Sequence, residues 1–201
     1  MKNALFFVFV LILMNVSAQN ADIDLLRKIN VDRNPKLDQT LSLITNTSTP
    51  ISFLMPAAVF TIGLVNKDSL LKQKAFVIGG SLIISTAIST GIKFAVNRER
   101  PFETYPEIIK LTKGGSPSFP SGHTSVAFSA ATSLSLMFPK WYVIAPAYVW
   151  AGAVGYSRMH LGVHYPSDVL VGAAIGAGSA LLSKWVVHKI YSRKKNKTTF
   201  I

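Results

Sequence analysis

Five apolar runs, near residues 49–66, 75–95, 123–139, 142–157 and 169–187, alternate with short polar connections over most of the chain. Each is about the length that carries an α-helix across a ~30 Å hydrocarbon core. Together they predict an all-α protein, a multi-helix transmembrane bundle. Serine, threonine and glycine dilute the runs, and Lys93 and Lys184 lie near two of their ends, so a buried soluble bundle is the competing reading. Small residues favour the membrane, because helices in lipid pack closely through them; Gly172, Gly176, Ala177 and Gly178 form such a group. Pro50 and Pro56, near the first run, are tolerable in a membrane helix.

Ahead of these runs, Lys2 is followed by an apolar stretch from Ala4 to Met14 and then by Val16-Ser17-Ala18 before Gln19. A basic start, a short apolar centre and small residues before a cut describe a secretory signal peptide, here residues 1–18. An uncleaved anchor is the alternative, which sets the expected span count at five after cleavage and six if the segment is retained. Residues 19–48 then form an extracytoplasmic segment with a short amphipathic helix around Ile23 to Ile29. Residues 49–188 make the helical domain and residues 189–201 a basic tail.

Composition agrees with a lipid setting. In 201 residues, enough for one domain, 49% are apolar and only 15% charged, against ~25% in soluble domains. Cysteine is absent, which excludes disulfides, a thiol nucleophile and cysteine-bound metal. The net charge of +12 suggests acidic partners, yet its placement argues against nucleic acid. With residue 20 outside, Lys67, Lys72 and Lys74, then Lys140, then Lys189, Arg193, Lys194, Lys195 and Lys197 all fall on the cytoplasmic side, as inserted helices require. The outer connections, residues 96–122 and 158–168, nevertheless hold Arg98, Arg100, Lys110, Lys113 and Arg158. That excess needs another reason, and binding a phosphate supplies one.

Three clusters occupy those outer connections. They are Lys93 with Arg100-Pro101, then Pro120-Ser121-Gly122-His123, then Ser157-Arg158 with His164 and Asp168. Singly each is ordinary: a lysine snorkelling at a boundary, a basic helix end, a capping serine, an i,i+4 pair on a helix face. In this order and on one side of a membrane, they resemble the three-part signature of the type 2 phosphatidic acid phosphatases, matched without a substitution over residues 93–168. That family also includes soluble acid phosphatases and vanadium haloperoxidases, so the resemblance implies a fold and phosphate chemistry before a substrate.

The resemblance implies that His164 attacks phosphorus, that Asp168 orients it, and that His123 serves as acid and then base. Lys93, Arg100 and Arg158 suit the spread negative charge of a phosphoryl group in transfer, Ser121 adds a hydroxyl, and the Gly122 amide opens a helix where free N–H groups meet anions. A metal site at His160, His164 and Asp168, spaced four apart, is the other reading of the third cluster; the converging cations disfavour it, and His160 is taken as a supporting or surface residue. No cofactor and no obligate protein partner are implied. The expected partners are membrane lipids and a lipid phosphate or polyprenyl diphosphate substrate. The resulting expectation is a lipid phosphatase of a bacterial inner membrane, its site facing the periplasm and its C-terminus cytoplasmic. A soluble periplasmic acid phosphatase, a haloperoxidase and a lipid-sensing protein that retains the pocket are the rivals.

Overall fold

The structure is a computed structural model, and it describes residues 20–198, with side chains to residue 192. The described residues are helical, without strands. A short helix α1 (20–30) leads through a 3-10 turn at Pro35–Leu37 into α2 (Asp38–Val65) and α3 (Ser69–Val96). One turn, α4 (Pro101–Thr104), and a long loop precede α5 (Gly122–Met137), α6 (Trp141–His160) and α7 (Pro166–Thr198). All five apolar runs are therefore helices.

The first begins earlier than its apolar run suggests. α2 starts at Asp38, eleven residues before position 49, and continues through Pro50 and Pro56. Its first turns are polar because they pack on protein: Leu41, Thr45 and Ser48 are buried. The expected amphipathic helix near residues 23–29 is present as α1, with Ile23, Leu26 and Asn30 buried on one face. The proposed signal peptide lies outside the described residues.

Helices α2, α3, α7 and α6 form a ring around α5, which packs against all four. Three helical stretches, Pro35–Val65, Ser69–Thr104 and Pro166–Ser192, are long and apolar enough to cross a membrane. α5 and α6 are not among them, and α5 is enclosed by the other four long helices. It has only 16 residues, and Thr124, Ser125, Ser129, Thr132 and Ser133 are buried along it. The large apolar side chains lie on the outside instead, including Leu54, Ile83, Phe94 and Leu170, each more than 60% exposed. This reversal suits a protein whose solvent is lipid.

Small residues let the helices approach closely. A Cβ added at Gly176 of α7 would lie 2.3 Å from the Ser125 carbonyl of α5, and one at Gly172 would lie 2.6 Å from that of Ser121. Hydroxyls tie α3 to both of these helices: Ser85 and Ser125 lie 2.6 Å apart, Ser129 donates to Ser81 at 3.1 Å, and Ser183 donates to the Val77 carbonyl at 2.8 Å.

Alanine in place of glycine inside a helix ordinarily gains about 0.5–1 kcal/mol. At Gly176 the clash reverses the sign, and Gly176→Ala is expected to cost roughly 1–3 kcal/mol, the usual penalty of overpacking. A lowered melting temperature of the detergent-solubilised protein is the measurement; an unchanged or raised one would show that α5 and α7 can part without cost.

Candidate active site

The candidate site is built where the C-terminal ends of α3 and α6 meet the N-terminal ends of α5 and α7. α3 ends one turn past Lys93, where Asn97 takes the left-handed conformation (φ 48°) and its N–H bonds the Lys93 carbonyl. The chain then runs extended through Arg100 into α4, closed by Glu103, whose carboxylate accepts from the Arg100 N–H at 2.9 Å. Lys93 is buried and donates to the carbonyls of Pro117, Ser118 and Pro120, which binds the first cluster to the loop before the second.

Arg100 reaches across to the third cluster. Its Nε donates to the Ser116 carbonyl at 2.8 Å and its Nη1 to the Val163 carbonyl at 2.6 Å, directly before His164. The guanidinium passes so close to Gly114 that a Cβ there would lie 2.9 Å from Nη1. Gly162 makes the turn after α6 with φ +72°, and a Cβ would lie 2.3 Å from the Ile109 carbonyl. That turn returns the chain to His164, whose N–H bonds the Arg158 carbonyl at 3.3 Å.

Asp168, fully buried in the first turn of α7, gathers these pieces. One oxygen accepts from His164 Nδ1 at 3.3 Å, from the Tyr165 N–H at 3.0 Å and from the Ser118 hydroxyl; the other accepts from Arg98 Nη1 at 2.8 Å. Its carbonyl accepts from the Ser121 N–H at 3.0 Å, which docks the start of α5. Because a carboxylate only accepts, the His164 contact places the proton on Nδ1 and leaves the Nε2 lone pair available. Burial pushes His164 down to about 3, against the opposing hydrogen bond and charge of Asp168, while Arg158 and Arg100 lower it further.

The structure brings together Lys93, Arg100, Ser121, Gly122, His123, Arg158, His164 and Asp168. His123, at the start of α5 and partly exposed, lies within electrostatic reach of Arg158, Arg100 and Lys93. The Ser121 hydroxyl pairs with Thr124 Oγ1 at 2.8 Å. Among the described residues no carboxylate forms an ion pair with Lys93, Arg100 or Arg158, whereas Arg33 has one such partner and Arg27 and Arg98 have two each. Arg158 is 2% exposed, its Nη1 donates to Thr45 Oγ1 at 3.0 Å, and its Nε has no hydrogen-bond partner among the described residues. Three cations are thus buried close together with Asp168 near but no carboxylate in ion-pair contact with them, and isolated burial of such charge is costly.

Of the two readings of His160, as a supporting or a surface residue, the structure excludes the surface one. The side chain is 1% exposed and its Nε2 pairs with Asp38 Oδ1 at 2.8 Å, tying α6 to the start of α2. His160 and His164 thus turn to different carboxylates, and among the described residues no three acidic or histidine side chains gather as a metal site would need. Sequence reasoning missed Thr45, Ser118, Asp22 and Asn30. Only Ser118, beside Pro120-Ser121-Gly122-His123, carried a local signal.

Residues 74–192 match the model of the PAP2 superfamily. The chain belongs to that superfamily. It is 33% identical over 102 residues to a lipid A 4'-phosphatase of Bacteroides thetaiotaomicron, covering 51% of this chain and 45% of that protein. To an undecaprenyl-diphosphatase of Sulfolobus acidocaldarius it is 35% identical over 111 residues, covering 53% of each. The chain thus spans about half the length of the curated relatives it matches. Its fold is similar to the crystal structure of a transmembrane PAP2-type phosphatidylglycerolphosphate phosphatase from Bacillus subtilis, with a TM-score of 0.69 and 28% identity over 92% of this chain and 94% of that one. Aquifex aeolicus LpxE gives the same TM-score and identity over 81% and 94%. With its apolar helices, this relationship makes the protein a multi-pass membrane protein.

The displaced His164 titration has a measurable consequence. Its folded value, about 3, lies below the ordinary 6.5, so the unfolded chain binds the extra proton between those limits. The His164 contribution to stability is therefore complete above pH 6.5 and is lost as pH falls towards 3. Melting temperatures across that range are expected to fall less steeply for His164→Asn than for wild type; parallel curves would contradict the burial of a neutral imidazole.

Proposed function

We propose that this protein is a membrane phosphatase that hydrolyses a lipid phosphomonoester or diphosphate through a phosphohistidine on His164, without a metal. The single observation that carries the reading is the group of three buried cations without carboxylate partners, set around a histidine whose Nδ1 is held by a buried aspartate. Such a pocket is matched to a phosphoryl group. A sensor of lipid headgroups would need the cations but not the oriented imidazole.

In the proposed reaction, Lys93, Arg100 and Arg158 neutralise the equatorial oxygens, with Ser121 and the amide at Gly122 as further donors. His164 Nε2 attacks phosphorus, the P–N bond forms and the P–O bond to the lipid breaks, while His123 gives its proton to the departing oxygen. Water then attacks phosphorus and loses a proton to His123, the P–N bond breaks, and inorganic phosphate leaves. Asp168 stabilises the charge that develops on His164, as the carboxylate does in a Ser-His-Asp triad.

A lipid substrate is favoured because the site lies at the end of helices whose outer surfaces are apolar, so tails can remain in the bilayer while the headgroup enters. The relatives named for lipid A and undecaprenyl diphosphate support that class. Placement at the periplasmic face rests on the basic connections at Lys67, Lys72 and Lys74, at Lys140 and along the tail from Lys189, all on the opposite side. Trp141 and Tyr142, both exposed beside Lys140, suit the opposite interface.

Two measurements test the proposal. Phosphate release from phosphatidic acid, phosphatidylglycerophosphate and undecaprenyl diphosphate in detergent is expected to fall at least ~1,000-fold in His164→Ala, as when a covalent nucleophile is lost; equal release would refute the nucleophile. Because the chain lacks cysteine, single cysteines report topology cleanly. Lys113→Cys should react with an impermeant maleimide in spheroplasts and Lys67→Cys only after lysis; the reverse pattern would invert the assignment.

A further inference from the structure

Helix α1 precedes the superfamily match by more than forty residues, yet it reaches the catalytic carboxylate through one arginine. Arg98 is a fork between two buried aspartates: Nη1 donates to Asp168 Oδ1 at 2.8 Å and Nη2 to Asp22 Oδ2 at 2.8 Å. Its guanidinium carbon stacks 3.7 Å above the centre of the Tyr165 ring, adjacent in sequence to His164. Asp22 also grips the start of α7 from outside, since Oδ1 accepts from the Ser167 N–H at 2.8 Å and Oδ2 from the Ser167 hydroxyl. The first turn of that helix, which bears Asp168, thus takes a cap from a residue 145 positions earlier.

A second anchor holds the far end of α1. Asn30, fully buried, donates to the carbonyls of His160 and Ile109 at 2.8 and 3.0 Å and accepts from the Ile109 N–H at 2.7 Å. Between these anchors, Ile23 and Leu26 pack on Ile108 and Tyr165. α1 is therefore fixed to both outer connections, and at Asp22 it meets the Arg98–Asp168 pair.

We infer that Asp22 and Arg98 are positioning residues for Asp168 and His164, with Asp22 the one residue of α1 that acts on the site. The inference rests on the reading of His164 as nucleophile. With Arg98 on one oxygen and Ser118 and Tyr165 on the other, the Asp168 carboxylate cannot rotate away from Nδ1. Asp22 in turn fixes Arg98, whose other nitrogen would otherwise be free to swing towards solvent. Outer partners of this kind commonly change activity by about 10- to 100-fold when removed.

Two conservative variants isolate the link. Asp22→Asn keeps the shape, and its amide oxygen can still accept from Ser167, but its NH2 group would face the donating guanidinium. Arg98→Lys keeps the charge and loses the fork that spans two acids. On whichever lipid phosphate the wild type hydrolyses fastest, each should lower kcat about tenfold or more and leave KM within about twofold. The double variant should be no slower than Arg98→Lys, because both break one chain of contacts. Unchanged kcat in Asp22→Asn, or losses that multiply in the double variant, would overturn the inference. Arg27→Gln, which breaks the exposed α1 ion pair with Glu107, should retain wild-type kcat; a loss equal to that of Asp22→Asn would show that any loosening of α1 suffices, and the inference would fall. His164→Ala assayed alongside separates the two claims. Full turnover there defeats the nucleophile itself, whereas lost turnover there with an indifferent Asp22→Asn defeats the positioning link alone.

Discussion

The Asp168 carboxylate is the point on which one end of the helix bundle converges. It collects donors from the segment after α3, from the loop before α5 and from the turn after α6, and its own carbonyl receives α5. A buried carboxylate is stable only when its oxygens are paired, and here each pairing also fixes a segment that carries a site residue. The order of motifs along the chain thereby becomes one cluster in space.

Set beside this saturated carboxylate, the cations are arranged on the opposite principle. Arg98 is satisfied by two acids, while Lys93 spends its protons on carbonyl oxygens and Arg158 meets only a threonine hydroxyl. Carbonyl dipoles hold an ammonium in place without cancelling its charge. The field of the site therefore remains positive, as the proposed phosphate chemistry requires.

Much of this was legible in the sequence, for identifiable reasons. The runs of apolar residues predicted the five long helices, and the eight candidate site residues stood out because their types and order resemble a phosphatase signature. The start of α2 and the enclosure of α5 were not legible, since both depend on protein rather than lipid as neighbour. Arg98 was noticed only as surplus charge, and Asp22 not at all: an acid on a short amphipathic helix looks like solvated surface, and its partner lies 145 residues away. His160 could be read only as a supporting or surface residue because its partner Asp38, 122 positions earlier, was hidden in the same way.

The enclosed, hydroxyl-lined α5 has a consequence for how such a chain can vary. On the lipid side, at Leu54, Ile83 or Leu170, almost any apolar side chain serves the same solvent, so identity there is loosely held. Where α5 meets Gly172 and Gly176 the limit is volume, and one methyl group already exceeds it. The usual expectation for a globular protein, in which large apolar residues are the guarded ones, is thus exchanged for one in which the smallest residues set the fold and the largest are free to drift.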